Sequence, residues 1–243
     1  MDEKKEIKKE TEQRSAAAAE KSEKAEAAEP AFDEAERRRQ MLASYNLLAP
    51  EDTARLEFIM EMDKMKRIYR QSLLLDRSRT ETDAEHSWQL AVMALILADH
   101  GPEGTDLLKV ISMCLIHDIV EIDAGDTFAY DEKGNQDKAE REMKAADRIY
   151  AMLPRAQGEK LKALWMEFDE GKSKEAVFAN ALDRLQPMLI HAYTDGANWR
   201  KHDVAYPQVR ERAEAVRQGL PYIWPCLEDL LETARTLGLL REM

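Results

Sequence analysis

The stretch "SMCLIHDIVEIDAGD", residues 112–126, decides how the chain is read. It sets a charged pair, His117-Asp118, between Leu115-Ile116 and Ile119-Val120, in the most apolar part of the sequence. Burying ionisable groups there is costly unless each has a partner, and one partner that serves an imidazole and a carboxylate together is a metal ion. On a helix, adjacent side chains point about 100° apart, so His117 and Asp118 can flank one ion. Glu121 follows His117 by four residues, one turn on and on the same face, within reach of a water on such an ion.

A metal needs further ligands, and the other histidines differ in context. His86 opens a helix in "AEHSWQLAVMALILA" (84–98), where Thr82 and Glu85 fit a capping box and Gly101-Pro102 ends the run. Asp183 lies among Phe178, Leu182 and Leu185 in "FANALDRLQPM" (178–188). His86, His117, Asp118 and Asp183 make a mixed nitrogen and oxygen set suited to Mn, Co, Fe, Ni or Zn and, less well, Mg. His100 and His202 stand beside Asp99 and Asp203 and read as exposed, while His191 follows Pro187 and reads as core or as support for the site.

Around these segments, apolar residues three and four apart predict helices over 32–48, 51–71, 106–122, 137–153, 156–171, 174–192, 207–218 and 222–238, besides the one opening near His86. Asp137 and Ser173 are expected N-caps, and 123–136, with Gly125 and Gly134, an expected loop. No run alternates like a strand. The expected fold is all-α, a single helical bundle over 33–243. Residues 1–32 form a tail of Lys, Glu and Ala, disordered or helical, unable to bury a face of its own. That tail has no apolar leader segment, and no later run is long enough to span a membrane, so a cytoplasmic protein without membrane contact is expected. A net charge of -12 argues against a nucleic-acid partner. Cys114 and Cys226 form no CxxC pair and read as small core residues. The four tryptophans and the run Met60, Met62, Met65 read as packing, with the indoles also fitting an interface between subunits.

The order His86, His117-Asp118, Asp183 resembles the H…HD…D signature of the HD-domain metal-dependent phosphohydrolases, an all-α superfamily. The stretches "RSRTETDAEHSWQLA", "IHDIVEIDAGDTFAYD", "DKAEREMKAADRI" and "FANALDRLQP" are similar to those of its bacterial 5'-deoxynucleotidases. The resemblance implies one divalent ion held by His86, His117, Asp118 and Asp183, with Glu121 acting on the attacking water. It implies that Asp126, with Thr127, Phe128 and Ala129, lines the nucleotide pocket and serves the reaction, and that the protein is a homodimer. Those enzymes use an Arg-Trp pair before the first ligand to place phosphate and disfavour a 2'-hydroxyl. Here "RIYRQSLLLDRSR" (67–79) offers Arg70 or Arg79 for the phosphate and no Trp, which predicts weak sugar discrimination. Residues 119–182 contain no His, which favours one metal over two. The implied reaction is hydrolysis of phosphate monoesters, in particular (deoxy)nucleoside 5'-monophosphates. A guanosine polyphosphate alarmone hydrolase and a non-catalytic nucleotide-binding module are the alternatives.

Overall fold

The computed structural model describes Met41, residues 43–131 and residues 133–243. The expected tail over 1–32 lies outside them. The chain divides into a unit Met1–Thr53 and a unit Ala54–Met243. In the first, the described residues form a 3-10 turn, Ser44–Leu47, and the start of helix α1 (Pro50–Glu61), which runs on into the second. The second unit carries the candidate site.

After α1 come a 3-10 segment, Met62–Arg67, then β1 (Tyr69–Leu73), β2 (Thr80–Thr82) and α2 (Asp83–Ile96). A 3-10 turn (Ala98–His100) leads to α3 (Leu107–Ile116), α4 (Glu121–Ala124), α5 (Lys138–Tyr150) and α6 (Arg155–Glu170). The long α7 (Lys174–Tyr193), the short α8 (Ala197–Lys201), α9 (Tyr206–Gly219) and α10 (Trp224–Thr236) complete a mostly helical bundle.

Two departures from the expected helices bear on function. The helix predicted over 51–71 stops at Glu61, and Tyr69–Leu73 instead pairs antiparallel with Thr80–Thr82, with an irregular register between Tyr69↔Thr82 and Leu73↔Thr80. The absence of strands expected from the sequence is therefore corrected. A partner strand of three residues is too short to display alternation, and the turn that joins the pair uses Arg77 at φ 62°, a conformation no sequence period announces. The helix predicted over 106–122 also breaks: α3 ends at Ile116, residues 117–120 turn, and α4 restarts at Glu121. The His-Asp pair thus sits in a tight turn, held by His117 N–H to Met113 O at 3.0 Å and Glu121 N–H to Asp118 O at 2.9 Å.

That turn lies at the seam of two apolar clusters. On one side Met113, Cys114, Leu90, Phe178, Leu182 and Leu185 belong to the main core of α2, α3, α7, α9 and α10. On the other, Ile119 and Val120 pack with Phe58, Ile149, Tyr150 and Trp165 of α1, α5 and α6. Cys114, Met65, Trp165 and Trp199 are buried and Met62 and Trp224 partly buried, whereas Met60 and Cys226 are exposed, which corrects the reading of those two as core; Trp88, expected as core or interface, is exposed. Thr82 and Glu85 form the capping box, with Glu85 N–H donating to Thr82 Oγ1 at 3.3 Å and Thr82 N–H to the Glu85 carboxylate at 2.9 Å. Ser173 caps α7, while Asp137 makes no capping bond at α5.

Helix α7 carries Asp183 at its middle, and α9 closes on it where Gly219 has no side chain. A Cβ there would stand 2.5 Å from the Val177 carbonyl oxygen and 2.6 Å from Ala181 Cβ. Gly219→Ala is therefore expected to destabilise the fold by about 1–3 kcal/mol through overpacking, read as a lower urea midpoint at unchanged slope.

Candidate metal centre and active site

Three elements deliver the four expected ligands to one point: the first turn of α2 gives His86, the turn after α3 gives His117 and Asp118, and α7 gives Asp183. All four are buried. His86 Nε2 stands 3.0 Å from Asp183 Oδ1 and 4.0 Å from Asp118 Oδ2. His117 Nε2 stands 3.1 Å from Asp118 Oδ2 and 3.7 Å from Asp183 Oδ1.

The other face of each ring fixes what those Nε2 atoms are. Gln186 donates through its amide nitrogen to Glu81 Oε2 at 2.9 Å and Gln89 Oε1 at 2.8 Å, so its oxygen is turned to accept from His86 Nδ1–H at 3.0 Å. His117 Nδ1–H donates to the Cys114 carbonyl at 2.9 Å. With both Nδ1 atoms protonated, a neutral ring presents an Nε2 lone pair. Two lone pairs and two carboxylate oxygens then face one another, an arrangement of acceptors that only a cation or a proton satisfies. His117 Nε2 is buried without a hydrogen-bond partner. The donor set fits a divalent ion of the first transition row, each imidazole backed by a hydrogen bond from its far nitrogen as metal-binding histidines are.

The charges agree. Burial, reinforced by the Arg70 cation, lowers the His86 pKa to about 4, so this ring is neutral. Burial also pulls His117 down, but the adjacent Asp118 charge outweighs it and raises its pKa to about 10: without a metal, a proton occupies the place of the cation. Burial opposes ionisation of Asp118 and Asp183, yet His117 and Arg70 hold the first, and Arg184 with the two imidazoles the second, well below the usual carboxylate range.

Glu121, the first residue of α4, is buried with Oε2 unpaired, and burial together with the Asp118 and Asp83 charges raises its pKa well above that of a free carboxyl. Asp83 is a residue that the sequence did not single out. It is fully buried, both its oxygens lack hydrogen-bond donors, and burial followed by the Asp118 charge raises its pKa to about 7. It lies one turn before His86 on α2, and that spacing was the available signal. Asp83, Asp118 and Glu121 each offer an oxygen within 4.8 Å of the others.

The centre opens into a cavity of about 190 Å³. Arg70 reaches it from β1, donating to Asp118 Oδ2 at 2.7 Å and standing 3.6 Å from Asp83 Oδ1. Arg79 does not line it: its guanidinium is exposed and forks onto Glu85. Asp126, Thr127, Phe128 and Ala129 all line it, beyond Gly125 at φ 75°. Burial raises the pKa of Asp126, and Arg141 donates to Thr127 Oγ1 at 3.0 Å. The wall also contains Lys138, Arg184, His191 and Arg212. Arg184 follows a proposed ligand in sequence, but Lys138 and Arg212 sit in charged amphipathic segments that look like solvated faces. His191 is buried edge-on to Trp199 with its Nδ1 unpartnered, while His202 is exposed and His100 is half-buried against the Tyr222 ring.

Comparison with known proteins places this geometry. Residues 62–224 match the family model for the HD domain. A solved structure of a predicted metal-dependent phosphohydrolase from Magnetospirillum magnetotacticum superposes with a TM-score of 0.76 at 43% identity, covering 79% of this chain and 96% of that one. A conserved hypothetical protein from Pyrococcus furiosus shares the fold, with a TM-score of 0.52 at 24% identity over 72% of this chain and 98% of that one. Among curated proteins, human 5'-deoxynucleotidase HDDC2 is 28% identical over 135 residues, 55% of this chain and 65% of its own length. The Dictyostelium discoideum protein of the same name is 28% identical over 118 residues, 46% of this chain and 62% of its own. The chain thus spans just under two thirds of these curated relatives. With a family match over more than half its length and a buried His-Asp cluster able to hold a metal, the chain belongs to the HD-domain family of metal-dependent phosphohydrolases.

Proposed function

We propose that this protein hydrolyses phosphate monoesters with one divalent ion, and that nucleoside 5'-monophosphates of both sugar types are substrates. The observation that carries this is the convergence of two imidazole lone pairs and two carboxylate oxygens at the wall of a cavity that also holds a buried, unpaired carboxylate and guanidinium groups. His86, His117, Asp118 and Asp183 would hold Mn, Co, Fe, Ni, Zn or Mg, which supplies the positive charge that acidifies a water and polarises a phosphoryl oxygen. Glu121 takes the proton from that water. Burial and the Asp118 and Asp83 charges raise its pKa above that of a free carboxyl, the direction that strengthens a general base. Arg70 and Arg184 neutralise oxygens of the phosphoryl group as charge builds on them. Asp126 and the loop through Ala129 line the nucleoside end, where Phe128 meets the Tyr130 ring at 5.3 Å and gives the base an apolar wall.

Sugar selectivity follows from β1. Arg70, Gln71 and Ser72 line the cavity, while Tyr69 is 55% exposed and lies outside the lining. No bulky ring crowds a 2'-hydroxyl from this segment. Specificity constants for dAMP and AMP are expected within about tenfold, a difference of roughly 1.4 kcal/mol. The deciding experiment is phosphate release from ribo- and deoxyribonucleoside monophosphates by protein loaded with Mn or Co. Absence of release from every member of the panel would reject the reading in favour of a binding module.

Two further outcomes are expected. Glu121→Gln should keep one metal per chain, measured by elemental analysis, and lose roughly 100-fold or more in turnover. The Asp118 charge raises the His117 pKa to about 10, so metal uptake is expected to displace one proton from this ring and apparent affinity to rise with pH through neutrality by about tenfold per unit. Calorimetry in two buffers of different ionisation enthalpy reads that proton directly. Release of none would mean that His117 is already neutral in the metal-free protein.

A further inference from the structure

Four Lys and Arg side chains line the cavity, and three of them have a carboxylate partner. Arg70 pairs with Asp118, Lys138 with Glu142 at 3.3 Å, and Arg184 with Asp183. Arg212, on α9, has no acid within ion-pair distance among the described residues. Its recorded contact is with the Tyr130 ring, the guanidinium carbon 5.7 Å from the ring centre. The charges of the cavity are therefore unevenly matched. Near the metal centre, acids outnumber bases: Asp83, Asp118 and Glu121 lie together around the single cation Arg70, which stands 3.6 Å from Asp83 and 2.7 Å from Asp118. At the wall built by α7, α9 and the loop through Tyr130, one base is in excess.

A guanidinium removed from water without a counter-charge is costly, and another cation nearby adds to the cost. Burial, followed by the charge of Arg184, lowers the Arg212 pKa to about 10. A neutral base edge accepting its hydrogen bonds would leave that charge uncompensated. A phosphate would not, and the planar fork of an arginine matches two phosphate oxygens. Tyr130 keeps the fork at the wall by lying against it.

We infer that Arg212 is a second anion-binding point of this cavity, so that the favoured substrates are nucleotides with two separate phosphate groups, one at the metal centre and one on Arg212. The inference rests on the phosphomonoesterase reading of the same site and narrows its substrate class. Hydrolysis remains the same reaction: water adds to the phosphorus at the metal centre, the ester oxygen leaves with a proton, and the phosphate on Arg212 is left intact.

The test uses the metal-loaded full chain with 5'-AMP and adenosine 3',5'-bisphosphate as probes. Binding is measured by calorimetry in the Glu121→Gln protein, and phosphate release in the protein with Glu121 intact. The bisphosphate is expected to bind roughly tenfold or more tightly than 5'-AMP, the scale of a charged hydrogen bond. Arg212→Gln should abolish that preference by weakening the bisphosphate more than the monophosphate, and Arg212→Lys, a point charge without the fork, should restore part of it. Equal affinity for the two probes before substitution would overturn the inference, and so would an equal loss for both in Arg212→Gln. A binding preference that depends on Arg212, found together with no phosphate release from either probe, would support the anion point while rejecting the hydrolase reading.

Discussion

Acceptors facing acceptors is the constraint on which the molecule turns. His86 and His117 are each locked by a hydrogen bond at Nδ1, and their remaining nitrogens point at the oxygens of Asp118 and Asp183 in a buried space. Such a cluster is stable only if something positive sits in it, and the surroundings are built accordingly. Arg184 takes Asp183 Oδ2 from outside and leaves Oδ1 to the centre, while Arg70 donates to Asp118 Oδ2, the same oxygen that faces the imidazoles. The Asp118 charge raises the His117 pKa to about 10, so a proton and a cation would compete for one group.

The backbone that creates this cluster is less regular than a helical bundle suggests. Around the His-Asp pair His117 and Val120 keep helical dihedrals, but the N–H groups of Ile119 and Glu121 bond to carbonyls three residues back, and α4 begins at Glu121. Likewise, if the segment after α1 had stayed helical, Arg70 would not be in a strand that hands it to Asp118 across 48 positions in sequence. On α7, Pro187 has no N–H to offer the carbonyl of Asp183, four residues before it, so the helix is weakest where the ligand stands.

How far the sequence disclosed this depended on the kind of signal. The buried cluster was legible because His86, His117, Asp118 and Asp183 are ionisable residues in apolar contexts, which physics disfavours without a partner. The capping box at Thr82 and Glu85 was legible because its spacing is local. The hairpin was not, since its two strands are short and their pairing is a property of residues about ten apart. Asp83 was overlooked because one more acid in "TETDAEHS" resembles a helix start rich in acids, and only three dimensions reveal that it is fully buried. Arg212 was hidden in "VRERAEAVR", where charge every few residues reads as a solvated face. Arg79 looked equivalent to Arg70 until the fold turned one toward the cavity and the other toward Glu85.

The bond from the Trp165 indole to the carbonyl of His117, at 3.1 Å, has an optical consequence. The indole is buried, it lines the cavity, and its one polar atom is tied to the residue whose imidazole would exchange a proton for an ion. Any change of charge at that imidazole therefore alters the local field on a chromophore anchored to the same residue. Trp88, 64% exposed, reports solvent instead. The protein thus carries, without any label, one emitter inside its candidate centre and another on its surface to serve as a reference.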